Sequence, residues 1–296
     1  MSHTLGASIA LLSLVAGCGG AAANPPAPVA TPTGGAPAVS AGPGTRFTKL
    51  QLGVGTQSVT REHNTTHLDM DITVDGAAQH TTSDTVETIE RHAEVLAVGA
   101  DGAPTRLRVS YPASHKEETG KPVVTSPLEG KTYVLEGHGD KSPAVLDAVG
   151  VPAADAEAKA VANDYKHLGR VDPSWRALPE RPLVVGDPVD DMAKAMLHDG
   201  AGEGLDQVAL RFEGERDMGG RHVGVFGVQL TGTVDKGMRM TMNGKIALLL
   251  ASGWEAEADA EGPIELSQHE TKNGKDISVV AHGSVHIHKE TSYVAK

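Results

Sequence analysis

The chain has 296 residues, a formal net charge of -12 and a pI near 5.6, and only 3% of its residues are aromatic. These values argue against nucleic acid as a partner, because binding nucleic acid needs a basic patch and usually stacking rings. An anionic membrane surface would also repel the folded body, and we interpret the acidity as a feature that keeps the protein soluble.

The first residues predict a signal peptide that spans residues 1–17. The segment from Ile9 to Ala16 is almost wholly apolar, and Gly17 separates it from Cys18, the single cysteine of the chain. Such a run is too short to cross a bilayer and is typical of the hydrophobic region of an export signal. No later segment of the sequence approaches the roughly 18 consecutive apolar residues that a spanning helix requires.

The four residues Val15-Ala16-Gly17-Cys18 resemble the lipobox of bacterial lipoproteins. The resemblance implies that Cys18 receives a diacylglyceryl group, becomes the first residue after cleavage and is then acylated on its new amine. A single acyl chain binds membranes marginally, whereas two or more anchor a protein stably. We therefore expect a lipid anchor in the cell envelope, with the soluble part in the periplasm or outside the cell. A buried core cysteine is the alternative, but no globular sequence surrounds Cys18.

Residues 18–45 are predicted to be the lipidated cysteine followed by a disordered tether. This segment is rich in Pro, Ala, Gly and Thr and carries hardly a charge or an aromatic ring. It cannot bury enough surface to offset the entropy of the chain. Residues 46–296 are predicted to be a single β-rich domain. Because no cysteine follows Cys18, no disulfide can form within the domain, and its stability must come from an ordinary core.

Period-two alternation of apolar and polar residues dominates this domain and predicts half-buried strands. The pattern recurs in five runs, near residues 106–111, 208–212, 226–234, 238–248 and 279–287. Turn signals lie between such runs, at Gly99-Ala100-Asp101-Gly102, Met218-Gly219-Gly220, Asp235-Lys236-Gly237 and Lys272-Asn273-Gly274-Lys275. Short turns between consecutive strands predict antiparallel pairing.

Two helices are predicted in the middle of the chain. The first is an Ala-rich segment from Ala153 to Leu168 that ends before Gly169. The second runs from Pro188 to Leu197, with Asp187 as its N-cap. The predicted fold class is therefore α+β and mostly antiparallel β, with a curved sheet or half-barrel and one or two helices inserted mid-chain.

The body resembles a loose group of β-rich bacterial lipoproteins of unknown function. The resemblance is carried by an antiparallel N-terminal half, the phrases Leu178-Pro179 and Val185-Gly186-Asp187, and long C-terminal strands. More remotely it is similar to envelope lipid carriers of the LolA and LprG kind, whose curved antiparallel sheet wraps helices around an apolar cavity. That similarity implies a lipid or another apolar ligand, and it assigns no role to a particular residue.

Two stripes of side chains are candidate binding sites. Met238, Met240 and Met242 share one face of a strand, and they suggest core packing, the lining of a lipid groove or, third, a Cu(I) site. His282, His286 and His288 also share one face and could bind Zn²⁺ or Cu²⁺ together with His63 or His67. Because the apolar residues Val285 and Ile287 alternate with them, we expect the histidines to face water, and we predict no metal site.

No catalytic motif stands out in the sequence. The segment from Thr125 to Thr132 ends like a phosphate-binding loop, but Thr125 replaces the first glycine and a strand pattern follows instead of a helix. A nucleophile elbow and a His-Glu-x-x-His helix are absent from the sequence. We therefore predict no enzymatic activity and no cofactor.

The favoured hypothesis is a non-enzymatic, lipid-anchored envelope lipoprotein that binds an apolar ligand or a protein partner through its sheet. The first alternative is a purely structural or assembly lipoprotein with a closed core, and the second is an enzyme without a recognisable motif. A deep pocket with apolar walls would favour ligand binding, and a filled core would favour the structural alternative.

Overall fold

The computed structural model describes residues 44–139, 141–198, 204–234, 238–272 and 275–294. Within these ranges the chain forms eleven strands and three helices. In chain order they are β1 (Gln57–Val74), β2 (Ala77–Val98), β3 (Pro104–Glu118), β4 (Val124–Thr125), β5 (Thr132–His138), β6 (Lys141–Asp147), α1 (Asp155–Asp164), α2 (Pro173–Arg176), α3 (Asp190–His198), β7 (Leu205–Met218), β8 (Arg221–Val234), β9 (Met238–Leu249), β10 (Glu255–Lys272) and β11 (Lys275–Val294).

All eleven strands belong to one antiparallel sheet, which is curved and not closed. Its order is β6-β5-β3-β2-β1-β11-β10-β9-β8-β7, and the short β4 pairs with β3 outside this path. The first and last long strands, β1 and β11, pair with each other at the centre of the sheet. The predicted fold class is confirmed, and the sheet consists of two arms that extend from this central pair.

The turns between paired strands follow the predicted hairpin signals where the structure describes them. Residues 99–103 join β2 to β3, and Gly219-Gly220 joins β7 to β8. Asp75-Gly76 makes a further tight turn between β1 and β2, with positive φ at both residues. The turn residues 235–237 and 273–274 lie outside the described residues, although the strands on either side of each pair directly.

Three strand glycines allow neighbouring strands to approach very closely in the C-terminal half of the sheet. A Cβ on Gly244 would lie 2.1 Å from the carbonyl oxygen of Asp259, and a Cβ on Gly262 would lie 1.8 Å from that of Thr241. Gly283 shows the same relation to the backbone of β1. Glycine in a strand interior marks such close approaches and bends, and we attribute part of the curvature of the sheet to these positions.

The three helices follow one another between β6 and β7, so the helical insertion lies mid-chain as predicted. The short α2 was not predicted. The predicted N-cap role of Asp187 is wrong, because its carboxylate instead accepts hydrogen bonds from Arg181 and from the backbone of Val184. Residues 186–189 make backbone hydrogen bonds to β7, for example from the Val189 N–H to the Leu210 carbonyl at 3.1 Å. Because this segment is extended, α3 begins at Asp190 and not at Pro188 as predicted.

The helices pack on the two arms of the sheet and leave its centre less covered. Val161 and Ala162 of α1 join a core with residues of β2, β3, β5 and β6. Met192 and Ala193 of α3 join another core with residues of β7, β8 and β9. The space between α1 and α3 lies over the central strands, and the candidate site is found there.

Candidate functional site

A cavity of about 450 Å³ lies between the helices and the inner face of the sheet. Strands β1, β2, β3, β9, β10 and β11 contribute its floor, and the end of α1, the first three residues of α2 and one face of α3 contribute its other walls. Cavities of this size are typical of small-molecule sites, which occur where packed elements diverge.

The walls of the cavity are mainly apolar. Both tryptophans of the chain line it, together with Leu52, Val95, Leu107, Leu168, Met192, Met196, Ile246 and Leu248. Of these, Val95, Leu107, Leu168, Met192, Ile246 and Leu248 are buried in the folded chain. The cavity thus offers extensive apolar contact to a ligand. Several of the lining side chains are also part of the hydrophobic cores, and packing there fixes their positions.

Hydrogen bonds and a ring contact hold the two tryptophans. Trp175 lies in α2, and its indole Nε1 donates to the carbonyl of Ser252 at 3.0 Å. The Asp172 side chain caps α2 by accepting from the backbone N–H groups of Ser174 at 2.7 Å and Trp175 at 3.1 Å. The Trp254 ring centroid lies 4.7 Å from that of Tyr293 on β11. Contacts within the protein therefore position both rings without a ligand, as a pre-formed wall requires.

A buried polar network crosses the floor between β1, β2 and α1. The Arg91 guanidinium forms ion pairs with Glu62 and with Asp164, the latter at 3.1 Å. The Tyr111 hydroxyl donates to Asp164 at 2.9 Å. Burial and the Asp164 carboxylate raise the pKa of Tyr111 well above its ordinary value of 10.0, so this hydroxyl stays protonated. The Arg91 guanidinium thus lies between two carboxylates, and both of its ion pairs lie within the protein.

A second set of polar side chains lies on β1, β10 and β11. Lys289 of β11 and Glu255 of β10 form an ion pair at 2.8 Å, and both side chains are mostly buried. The hydroxyls of Thr60 and Thr291 are hydrogen-bonded at 3.2 Å across β1 and β11. Burial raises the pKa of Tyr165 to about 12. The polar part of the lining therefore presents hydroxyls and paired charges beside the apolar walls.

The predicted methionine stripe lies outside the lining of this cavity. Met240 and Met242 are buried, in a core cluster that also contains Leu68, Ile264 and Val285. Met238 is partly buried and packs against the same cluster. The methionines that line the cavity are Met192 and Met196 of α3, which the sequence reasoning did not select.

The three C-terminal histidines lie on the outer face of β11, opposite the inward-facing Val285. The Asp259 carboxylate of β10 lies 3.1 Å from Nε2 of His286 and 2.9 Å from Nδ1 of His288. Burial raises the pKa of Asp259, but its hydrogen bonds with His288 and His286 outweigh this and leave the pKa below its ordinary value. His282 is level with Asp69 and Glu265 on the neighbouring strands.

The β1 histidines share that outer face. His63 is level with His288, and His67 lies between two carboxylates, with its Nδ1 2.6 Å from Asp84 and its Nε2 3.3 Å from Asp69. Hydrogen bonds to Asp84 and Asp69 raise the pKa of His67, although partial desolvation opposes them. In the part of the chain that the structure describes, no group of three or more His, Cys, Asp or Glu side chains has a geometry suited to a metal ion.

Cys18 and the tether up to Pro43 lie outside the described residues. Across the described ranges, no helix combines the length and the apolar character that crossing a membrane requires.

Comparisons with known proteins give only a distant likeness. No family model and no curated protein sequence matches the chain. A structure of lipovitellin, described as showing lipid–protein interactions, is similar over 82% of this chain and 26% of its own, with 10% identity and a TM-score of 0.41. A DUF1329 family protein from Desulfovibrio piger is similar over 78% of this chain and 83% of its own, with 12% identity and a TM-score of 0.20. The chain thus spans about a quarter of the lipovitellin chain.

Proposed function

We propose that the protein is a non-enzymatic, lipid-anchored lipoprotein of the bacterial cell envelope, and that it binds an apolar ligand in the cavity between its helices and its sheet. The single observation that carries the ligand-binding part is the cavity of about 450 Å³ with largely apolar walls. Its volume lies within the range of about 300–1,000 Å³ that is usual for small-molecule sites.

The pre-formed walls favour a ligand-binding protein rather than a structural protein with a closed core. An apolar cavity that stays empty forgoes dispersion contacts, and its lining costs stability unless a ligand or solvent fills it. Trp175 and Trp254 are held around the cavity by contacts that do not depend on a ligand. An alkyl chain entering this space would leave water without requiring the walls to rearrange.

The anchoring part of the proposal rests on the sequence. Cys18 follows the lipobox-like residues Val15-Ala16-Gly17, and the Pro- and Gly-rich segment after it would act as a tether. The folded body would then bind its ligand close to a membrane surface.

The proposal is tested by filling the cavity. Ala195 of α3 lines it, whereas the neighbouring Lys194 points away and its side chain is 76% exposed. Ala195→Trp should weaken the binding of dodecanol, measured by titration calorimetry, by roughly tenfold or more, because the indole occupies the space of the ligand. Lys194→Trp on the same helix should bind dodecanol like the wild type. Wild-type protein that binds no dodecanol, or an Ala195→Trp variant that binds it normally, would refute the proposal.

A further inference from the structure

Three cationic side chains line the cavity, and their hydrogen-bonding situations differ. Arg91 is paired with Glu62 and Asp164, and Lys289 is paired with Glu255. The third cation, Arg170, forms no ion pair with any carboxylate among the described residues. A cation beside an apolar space without a carboxylate partner is unusual, because burial of an unpaired charge is costly.

The guanidinium of Arg170 has one buried donor without a partner among the described residues. Its Nη2 donates to Nδ1 of His167 at 2.9 Å, so this ring nitrogen acts as an acceptor. Its Nε is buried and has no hydrogen-bond partner among the described residues. A buried donor that loses water without gaining an acceptor costs free energy, and a ligand oxygen that reached the guanidinium after a small side-chain rotation would remove this cost.

The backbone on either side fixes the position of Arg170. The N–H of Gly169 donates to the carbonyl of Pro104 on β3 at 2.8 Å, and Gly169 has φ of +92°. The N–H of Arg170 donates to the carbonyl of His167 at 3.1 Å. The turn that carries Arg170 is thus tied to the sheet, between the end of α1 and the start of α2.

Each carboxylate of the lining already interacts with other groups of the protein, by hydrogen bonds or by an ion pair. Asp164 accepts from Tyr111 and pairs with Arg91, and Glu255 pairs with Lys289. Asp172, two residues from Arg170, accepts two backbone N–H groups at the start of α2. Arg170 is therefore the cation of the lining that is available to an external anion.

We propose that the ligand is an amphiphile with an anionic oxygen head group, a carboxylate or a phosphate, and that Arg170 binds this head group. The alkyl tail would lie against the apolar walls formed by residues such as Trp175 and Met196. A guanidinium forms strong, charge-assisted hydrogen bonds to such oxygens, most of all where water is excluded. This inference rests on the proposed function, because it assigns the head group of a ligand that the cavity must first bind.

The test compares three probes with the same alkyl chain, which are dodecanol, dodecanoate and dodecyl phosphate. Wild-type protein should bind at least one of the two anions roughly tenfold more tightly than the alcohol, as expected for a hydrogen bond to a charged group. The anion that binds better identifies the head group as a carboxylate or a phosphate. Arg170→Gln should remove this preference, so that it binds the alcohol and the preferred anion with similar affinities, and Arg170→Lys should retain part of it.

The control is Arg106→Gln, which changes the net charge by the same amount. Arg106 lies on the outer face of β3, where its side chain is 50% exposed and pairs with Glu136. This variant should keep the preference of the wild type for the anion.

Equal binding of alcohol and both anions by the wild type, or a preference that survives in Arg170→Gln, would overturn the role of Arg170. Failure of all three probes, including the alcohol, would overturn the proposed function as well. Circular dichroism and a cooperative thermal transition show that each variant is folded.

Discussion

Arg91 of β2 and Asp164, the last residue of α1, form an ion pair at 3.1 Å that ties the first helix to the floor of the cavity. Both side chains are almost completely buried, with exposures of 11% and 12%. Asp164→Ala should lower the free energy of unfolding by about 2 kcal/mol, because Arg91 and the Tyr111 hydroxyl lose a buried acceptor while Arg91 keeps its ion pair with Glu62. Chemical denaturation measures this change.

An exposed ion pair provides the control for that variant. Lys121 pairs with Glu118 at 2.5 Å, and the lysine side chain is 63% exposed. Lys121→Ala should change the free energy of unfolding by less than about 1 kcal/mol, since solvent screens exposed pairs. Similar effects of the two substitutions would contradict the importance of the buried network.

A half-buried carboxyl on the inner face, that of Glu87, makes stability depend on pH. Burial raises the pKa of Glu87 above its ordinary value of 4.5, although a hydrogen bond with Asn64 opposes the shift. The folded state therefore holds this proton more tightly than the unfolded state, and stability falls as the pH rises through the folded-state pKa. Below 4.5 the carboxyl is protonated in both states, and this contribution to the pH dependence disappears.

Glu87→Gln should accordingly stabilise the protein at neutral pH and have little effect in acid. Asn64 lies directly opposite residue 87, and its buried Oδ1 has no partner among the described residues. The new amide could donate to this oxygen, and one such hydrogen bond contributes about 1 kcal/mol. Thermal melting of both proteins across this pH range measures the difference. A variant that is less stable than the wild type at neutral pH would contradict this description of the site.

The close approach of strands at Gly262 gives a prediction for the curved sheet. A Cβ at this position would lie 1.8 Å from the carbonyl oxygen of Thr241. Gly262→Ala should therefore destabilise the fold by about 2 kcal/mol or more, because the backbone of β9 or β10 must move. Gly53→Ala is the matched control, since a Cβ there meets no atom within 4 Å. Equal melting temperatures for both variants would show that the strands are not packed so closely.

The proposed lipid anchor depends on one side chain. Cys18→Ser should abolish lipidation, because the hydroxyl cannot replace the thiol that receives the diacylglyceryl group. Metabolic labelling with a fatty-acid analogue should mark the wild type and leave the serine variant unmarked. Equal labelling of the two proteins would remove the anchor from the proposal.

Sequence reasoning predicted the parts of the fold whose inner face is apolar. In β9 the even positions from Met240 to Leu248 are buried or half-buried as the alternation indicated. The turn signal from Gly99 to Gly102 was also predicted, because Gly102 can adopt the positive φ that lets the chain reverse. Local chemistry was sufficient at these positions.

The centre of the sheet could not be recognised in this way. The inner positions of β1 include the polar residues Glu62, Asn64 and Thr66, which are buried, so the strand shows no apolar alternation. Their partners lie on other strands and on α1, and their burial is visible only after folding. The Asp75-Gly76 pair was an available signal for the β1–β2 hairpin, and it was overlooked.

The cavity depends on tertiary contacts in the same way. Leu52, Trp175 and Trp254 meet around it although they are far apart in the sequence. The methionine stripe of β9 was conspicuous in the sequence because its residues share one strand face, but Met240 and Met242 pack in a core beside the cavity. Nothing in the sequence singled out Arg170. What distinguishes it is that it forms no ion pair with a carboxylate among the described residues, and this is visible only in the folded structure.

The most direct test of ligand binding uses the intrinsic fluorescence of the protein. The chain has two tryptophans, Trp175 and Trp254, and both line the cavity. Dodecanol that carries a bromine atom at the end of its alkyl chain should quench this fluorescence saturably, with a stoichiometry of about one. The reason is that the bromine atom lies against the indole rings once the alkyl chain occupies the cavity. Unbrominated dodecanol should compete and restore the signal. Quenching that rises linearly without saturation, or that unbrominated dodecanol does not reverse, would contradict an apolar ligand site between the helices and the sheet.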